Sequence, residues 1–330
     1  MNALLPPPGD VALDDGARRA AVLVGGTAAR IYDLIAGERL AEHQVGGPWI
    51  DLSPSGRWLA TTEGAIRDAL TGEVIWRGPF SGMPRFVDDD RVLLLRRGTA
   101  TLWGWRGGLP LAEIDDERLD PTASARAVFG PDGLVAIADP AGDRLALLSL
   151  NEVRALPLEE DEPTPDAAFH DGDLLVVQRG TLSRVALPHG DASVVAGLTG
   201  QILSVAARRG RAACTSLAAD GAYLFHDLDA PGAPVALPGR APPSPALIAT
   251  DDGWLVELWS GAAVVDGRGI RHQLRLPLGK DGARLFTGGR TLAAAGTRAL
   301  IACQPPLAPY VYRVSDLTFE RRLELEPERD

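Results

Sequence analysis

The chain has 330 residues, 45% of them apolar and 23% charged, which suffices for a sizeable core and is too sparse in charge for disorder. Its net charge of −11 and isoelectric point near 5.0 argue against a nucleic-acid partner, since phosphate neutralisation needs a basic face, and no basic run compensates. No apolar run approaches the ~18 residues of a membrane helix. The opening MNALLPPPGD lacks the basic and apolar regions of a signal peptide, so a cytoplasmic bacterial protein without a membrane partner is expected.

Short apolar bursts separated by turn residues run the length of the chain. The first unit, VALDDGARRAAVLVGGTAARIYDLIAGERLAEH, occupies 11–43. The second, WIDLSPSGRWLATTEGAIRDALTGEVIW, occupies 49–76 and divides into four strands (WIDL, RWLATT, AIRDAL, VIW) joined by SPSG, EG and TGE. Glycine and aspartate in such turns supply the positive φ or the side-chain cap that hairpins need. Units with the same order follow at 84–114, 126–158, 167–198, 203–237, 246–276 and 291–325. Their starts recur at about 40 residues, the period of a propeller blade.

The strand patterns agree with that period. VLLL, LVAIA and LLVV are near-continuous apolar runs, as expected of strands buried on both faces. ERLAEH, RHQLRL and ERRLELE alternate, as half-exposed edge strands should. No segment carries a helical period over 11 or more positions. The expectation is an all-β chain, a β-propeller of four-stranded antiparallel blades forming one domain over 1–330, with eight blades. Seven is the alternative, should the first or last unit lie outside the ring. With eight complete units, packing of the first blade on the last is the only clasp.

SPSG (53–56), GPDG (130–133) and the DDG turns (14–16, 251–253) resemble the turn between the first two strands of WD-repeat-like bacterial propellers. Tyr32-Asp33, His226-Asp227 and TGE (71–73) resemble the end of a WD repeat's third strand and the turn after it. The Gly-His signature and the Trp-Asp ending are missing, so the resemblance implies the fold and transfers no functional residue. In size and degeneracy the chain also resembles propellers encoded beside MoxR-type ATPases and von Willebrand A-domain proteins.

Catalytic and metal-binding patterns are sparse. His43, His170, His189, His226 and His272 show no i+2 or i+4 pairing, and no nucleophile elbow, phosphate loop or dinucleotide fingerprint occurs. No cofactor, metal or catalytic residue is therefore assigned. Cys214 and Cys303 both sit in apolar bursts and read as buried thiols, with a disulfide as the alternative. Asp51 is the acidic residue placed inside an innermost strand, and Arg85 and Arg126 open two others. Together they form a candidate polar cluster of the channel, able either to anchor an anion or to act as an internal clasp.

Trp49, Phe80 and Met83 lie in or beside Gly/Pro-rich blade connections and are candidate partner-binding residues, or else caps on the core. EEDEP (159–163), DDER (115–118) and QPPLAPY (304–310) are further loop candidates. The function expected is a non-catalytic scaffold presenting blade-connecting loops to protein partners. The alternative is a channel-mouth enzyme or small-molecule binder resembling lactonases.

Overall fold

The structure, a computed structural model, describes all residues except 1–7, 80, 116–125, 131–133, 139–144, 149–152, 156–165, 188–190, 231, 243–244, 252, 276–291, 296, 302–308 and 324–330. The described residues form eight four-stranded antiparallel sheets, each with its strands in sequence order. These span 8–44, 50–77, 83–115, 126–155, 166–194, 201–237, 247–275 and 292–322, and are called blades 1 to 8. Each falls within a few residues of a sequence unit. The fold is that of a β-propeller. Among the described residues the only helical element is a three-residue 3-10 turn, Trp105–Gly107.

The chain divides into two compact units. One comprises 1–96, 100–111 and 278–330, and the other 97–99 and 112–277. In the first unit, blade 8 packs on blade 1 through Val22, Tyr32, Leu300, Val311 and Leu323. Blades 1 and 2 share a second cluster, and blades 2 and 3 a third built on Trp58, Phe86 and Trp105. In the second unit, clusters join blades 4 and 5, 5 and 6, and 6 and 7.

The second strand of each blade shows why its sequence is apolar throughout. In Arg19–Val24, Ala20, Val22 and Val24 face the blade 8 cluster, whereas Ala21 and Leu23 face blade 2. In Asp173–Gln178, Leu174 and Val176 serve blade 4 and Leu175 and Val177 serve blade 6. Successive side chains point to opposite faces, so a strand sandwiched between two blades must be apolar at every position.

Turns are set by local hydrogen bonds. In DLIAGE (33–38), Asp33 Oδ1 accepts the Ile35 and Ala36 N–H groups at 2.7 and 2.8 Å, and Gly37 closes the turn at φ +80°. DALTGE (68–73) repeats this with Asp68, Leu70, Thr71 and Gly72. A side chain on Gly72 would meet the His43 ring of blade 1, whose Nε2 lies 2.8 Å from the Ala69 carbonyl. Asp227 and Asp266 cap the equivalent turns of blades 6 and 7. This is the physical content of the Asp-terminated third strands.

Candidate functional site

Buried carboxylates need hydrogen bonds, and three of them find these in a recurrent way. Asp51 is 8% exposed, and its Oδ2 accepts the backbone N–H of Phe86 on the first strand of blade 3 at 2.7 Å. Asp10 accepts its neighbour Val11 N–H at 3.0 Å and, across the blade boundary, Ile50 N–H of blade 2 at 3.2 Å. Asp166 does the same in the second unit, taking Ala167 N–H at 3.1 Å and Val205 N–H of blade 6 at 3.1 Å. Each carboxylate stitches one first strand to the next blade.

Asp10 and Asp166 correct the sequence reading, which placed Asp51 alone inside a first strand. The first strands of blades 1 and 5 begin earlier, at Pro8 and Asp166, and so include both residues. The signal was present as an acidic residue immediately before an apolar burst, but the flanking prolines read as loop.

Arg85 lies next to this array. Its Nη1 donates to the Pro84 carbonyl at 2.8 Å and stands 3.9 Å from Asp10 Oδ2, and Nη2 approaches Met83 Sδ at 3.3 Å. The structure thus gathers Asp10, Asp51 and Arg85 on the first strands of blades 1, 2 and 3. Arg126 opens the first strand of blade 4, paired with Ala138, and its side chain lies outside the described residues.

Of the partner-contact candidates, Met83 is wholly buried, which makes it part of the core and not a contact surface. Its place at the start of a first strand explains this: its backbone pairs with Leu95, and Arg85 covers the sulfur. Trp49 is half-buried on the connection from blade 1 to blade 2, its backbone held by Thr62 through bonds of 2.8 and 3.0 Å. Phe80 lies outside the described residues, as do 116–118 of DDER, all of EEDEP and most of QPPLAPY.

Two titratable groups also differ from expectation. His170, read as a solvated turn residue, ends a first strand and is 4% exposed, with Nε2 3.2 Å from Asp229 Oδ1 of blade 6. Cys214 is a buried free thiol whose pKa burial pushes up to about 12, leaving it protonated and inert at neutral pH. Cys303 lies outside the described residues. Among the described residues, no three His, Cys, Asp or Glu side chains are placed to hold a metal ion, and no helix is long and apolar enough to cross a membrane.

The surface offers a different candidate. Among the described residues nine large hydrophobics are exposed, and seven belong to the first unit: Ile35, Leu40, Leu70, Val74, Ile75, Leu109 and Phe319. They occur on four consecutive blades, 8, 1, 2 and 3. Ile35 (54% exposed) and Leu70 (43%) occupy the same position, two residues after the capping Asp of their turns. Those turns hold the tips rigidly outward. Sequence reading passed over them because a single apolar residue in a turn carries no periodic signal.

No family model matches this chain, and no curated protein matches its sequence. Solved structures do match its fold. The computationally designed Ika8 protein superposes with a TM-score of 0.69 over 95% of this chain and 97% of its own, at 13% identity. The dihydro-heme d1 dehydrogenase NirN, solved in complex with DHE, gives 0.62 over 97% of this chain and 72% of its own, at 18% identity. Apo AztD from Citrobacter koseri gives 0.60 over 98% and 94%, at 13% identity. At these identities the likeness concerns the fold alone.

Proposed function

We propose that the chain is a non-catalytic protein-interaction scaffold of the WD-repeat-like kind, of the type encoded beside MoxR ATPases and von Willebrand A-domain proteins. The observation that carries this reading is the rigid display of Ile35 and Leu70 at equivalent turn tips, with Val74 and Ile75 exposed on the outer strand that follows Leu70. Apolar side chains held outward on a fixed backbone lose little entropy on binding. The Asp-capped turns at Asp33, Asp68, Asp227 and Asp266 support the finer kinship. Trp49 is the described side chain through which the blade-connecting loops would join the contact.

The reading is consistent with the use of the buried acids. Asp10, Asp51 and Asp166 each accept a backbone N–H of the next blade, a structural task. Purification of the tagged protein from its native host, with elemental analysis of the same sample, tests the proposal. Stoichiometric protein partners without metal are expected. A lone protein carrying about one equivalent of calcium or zinc overturns it in favour of a channel-mouth enzyme or small-molecule binder.

A further inference from the structure

A cleft of about 260 Å3 lies between the end of blade 5's outer strand and the loop before the last strand of blade 6. One wall is apolar: Val195, Leu198 and Leu228 line it as partly buried members of the cluster joining blades 5 and 6. Val194, next in the chain to Val195, is 67% exposed, the most open large hydrophobic of the described residues. The cleft has one nitrogen heterocycle in its lining, His226, which is 7% exposed.

The tautomer of His226 follows from its neighbours. Ser216 Oγ lies 2.7 Å from the Thr199 carbonyl and 2.8 Å from His226 Nε2. A carbonyl can only accept, so the single hydroxyl proton goes to Thr199, and Ser216 Oγ must accept from an Nε2–H. Nδ1 then carries a lone pair, and no protein group is bonded to it. Burial lowers the pKa of His226, which keeps the ring neutral at pH 7 and Nδ1 an acceptor. The nearby Asp227 is already engaged, its Oδ1 by the Asp229 and Ala230 N–H groups and its Oδ2 facing Arg211 at 3.8 Å.

We propose that this cleft binds a small neutral aromatic molecule bearing one hydrogen-bond donor, of phenol or indole type, with its ring against Val195, Leu198 and Leu228 and its O–H or N–H donated to His226 Nδ1. Size agrees: an apolar cavity of about 150 Å3 holds benzene, and this cleft is larger. The chemistry is complementary, since an apolar wall with one fixed acceptor favours a ring with a single donor over a bare ring. The site is independent of the turn tips of the first unit.

The test is titration of the full chain with phenol, indole and benzene, following the His226 ring nitrogens by long-range 1H–15N NMR. Phenol and indole are expected to shift Nδ1 saturably and to bind about tenfold more tightly than benzene, the factor one hydrogen bond supplies. His226→Phe should remove that preference. Ala233→Trp, placed on the exposed wall and away from the core, should abolish binding of all three without changing the unfolding midpoint. N-acetyl-tyrosinamide binding as tightly as phenol would assign the ligand to a partner's side chain, and its exclusion would assign a free small molecule. Phenol binding no tighter than benzene, or saturable binding that survives Ala233→Trp, overturns the proposal.

Discussion

The turns between the third and fourth strands differ between the two units at one position. Two residues after the capping Asp, blades 1 and 2 carry Ile35 and Leu70, whereas blades 6 and 7 carry Asp229 and Arg268. The cap itself is the same in all four: an Asp Oδ1 accepting two backbone N–H groups. The backbone solution is therefore shared, and the side chain it projects is free to vary. In the second unit Asp229 turns back to His170 and to the Ala212 N–H, serving the fold. In the first unit Ile35 and Leu70 project into solvent, where an apolar side chain does nothing for the monomer.

The largest expected effect concerns what the two units share. Asp51→Ala strands the buried Phe86 N–H, and Asp166→Ala strands that of Val205, so each should cost about 2–3 kcal/mol, read as a lower urea midpoint. If only one of the pair destabilises, the inter-blade stitch is not a common device and that part of the comparison breaks.

Next comes the feature in which the units differ. Ile35→Asp with Leu70→Asp should weaken partner capture at least tenfold (about 1.4 kcal/mol) while changing stability by no more than about 0.5 kcal/mol, since both side chains are exposed. Arg268→Leu, which creates an apolar tip in the second unit, should leave capture unchanged. Gain of binding there would show that any apolar tip suffices.

A smaller effect is tied to pH. N–H donation by Thr71, and then by Leu70, holds the Asp68 carboxyl below its usual range, as Ala36 and Ile35 do for Asp33. A folded pKa depressed in this way contributes stability at neutral pH that is lost as pH falls through the folded value. Asp68→Asn keeps an acceptor and removes the titration. The variant should trail the wild type by under about 1 kcal/mol at pH 7 and converge with it below pH 3, as thermal midpoints across that range would show.

The smallest prediction concerns a hairpin. Arg209 and Gly210 form a two-residue turn at φ +53° and +71°, a pairing that favours Asn-Gly. Arg209→Asn should raise the melting temperature slightly, by a few tenths of a kcal/mol, despite loss of the exposed 3.0 Å contact with Asp251. No gain would mean that the contact offsets the strain.

Much of this molecule is written locally. WIDLSPSGRWLATTEGAIRDALTGEVIW shows its four strands because each turn carries its own cap: Ser53 accepting Trp58 N–H, Asp68 accepting Leu70 and Thr71 N–H, and Gly56 and Gly72 at positive φ. The unbroken apolar second strands follow from burial on both faces, so the repeat and the four-stranded sheet were legible before any coordinates. His170 was not, because FHDGD reads as a turn. Its burial depends on Asp229, 59 residues away by their numbers. Asp10 was hidden for the same reason, being recognisable as part of a strand only once Ile50 N–H is its partner.

The sequence alone determined the repeat, its period and the antiparallel blade, because strand alternation and turn capping are interactions between residues close in the chain. Only the tertiary structure decided which polar residues are structural and which surfaces are open. Asp51 as a stitch to Phe86, Met83 as core, and His226 with Nε2 committed to Ser216 and Nδ1 left to a cleft are settled by contacts between different strands and blades. Short-range patterns do not encode such contacts, because the burial that gives each side chain its role exists only after the blades have packed.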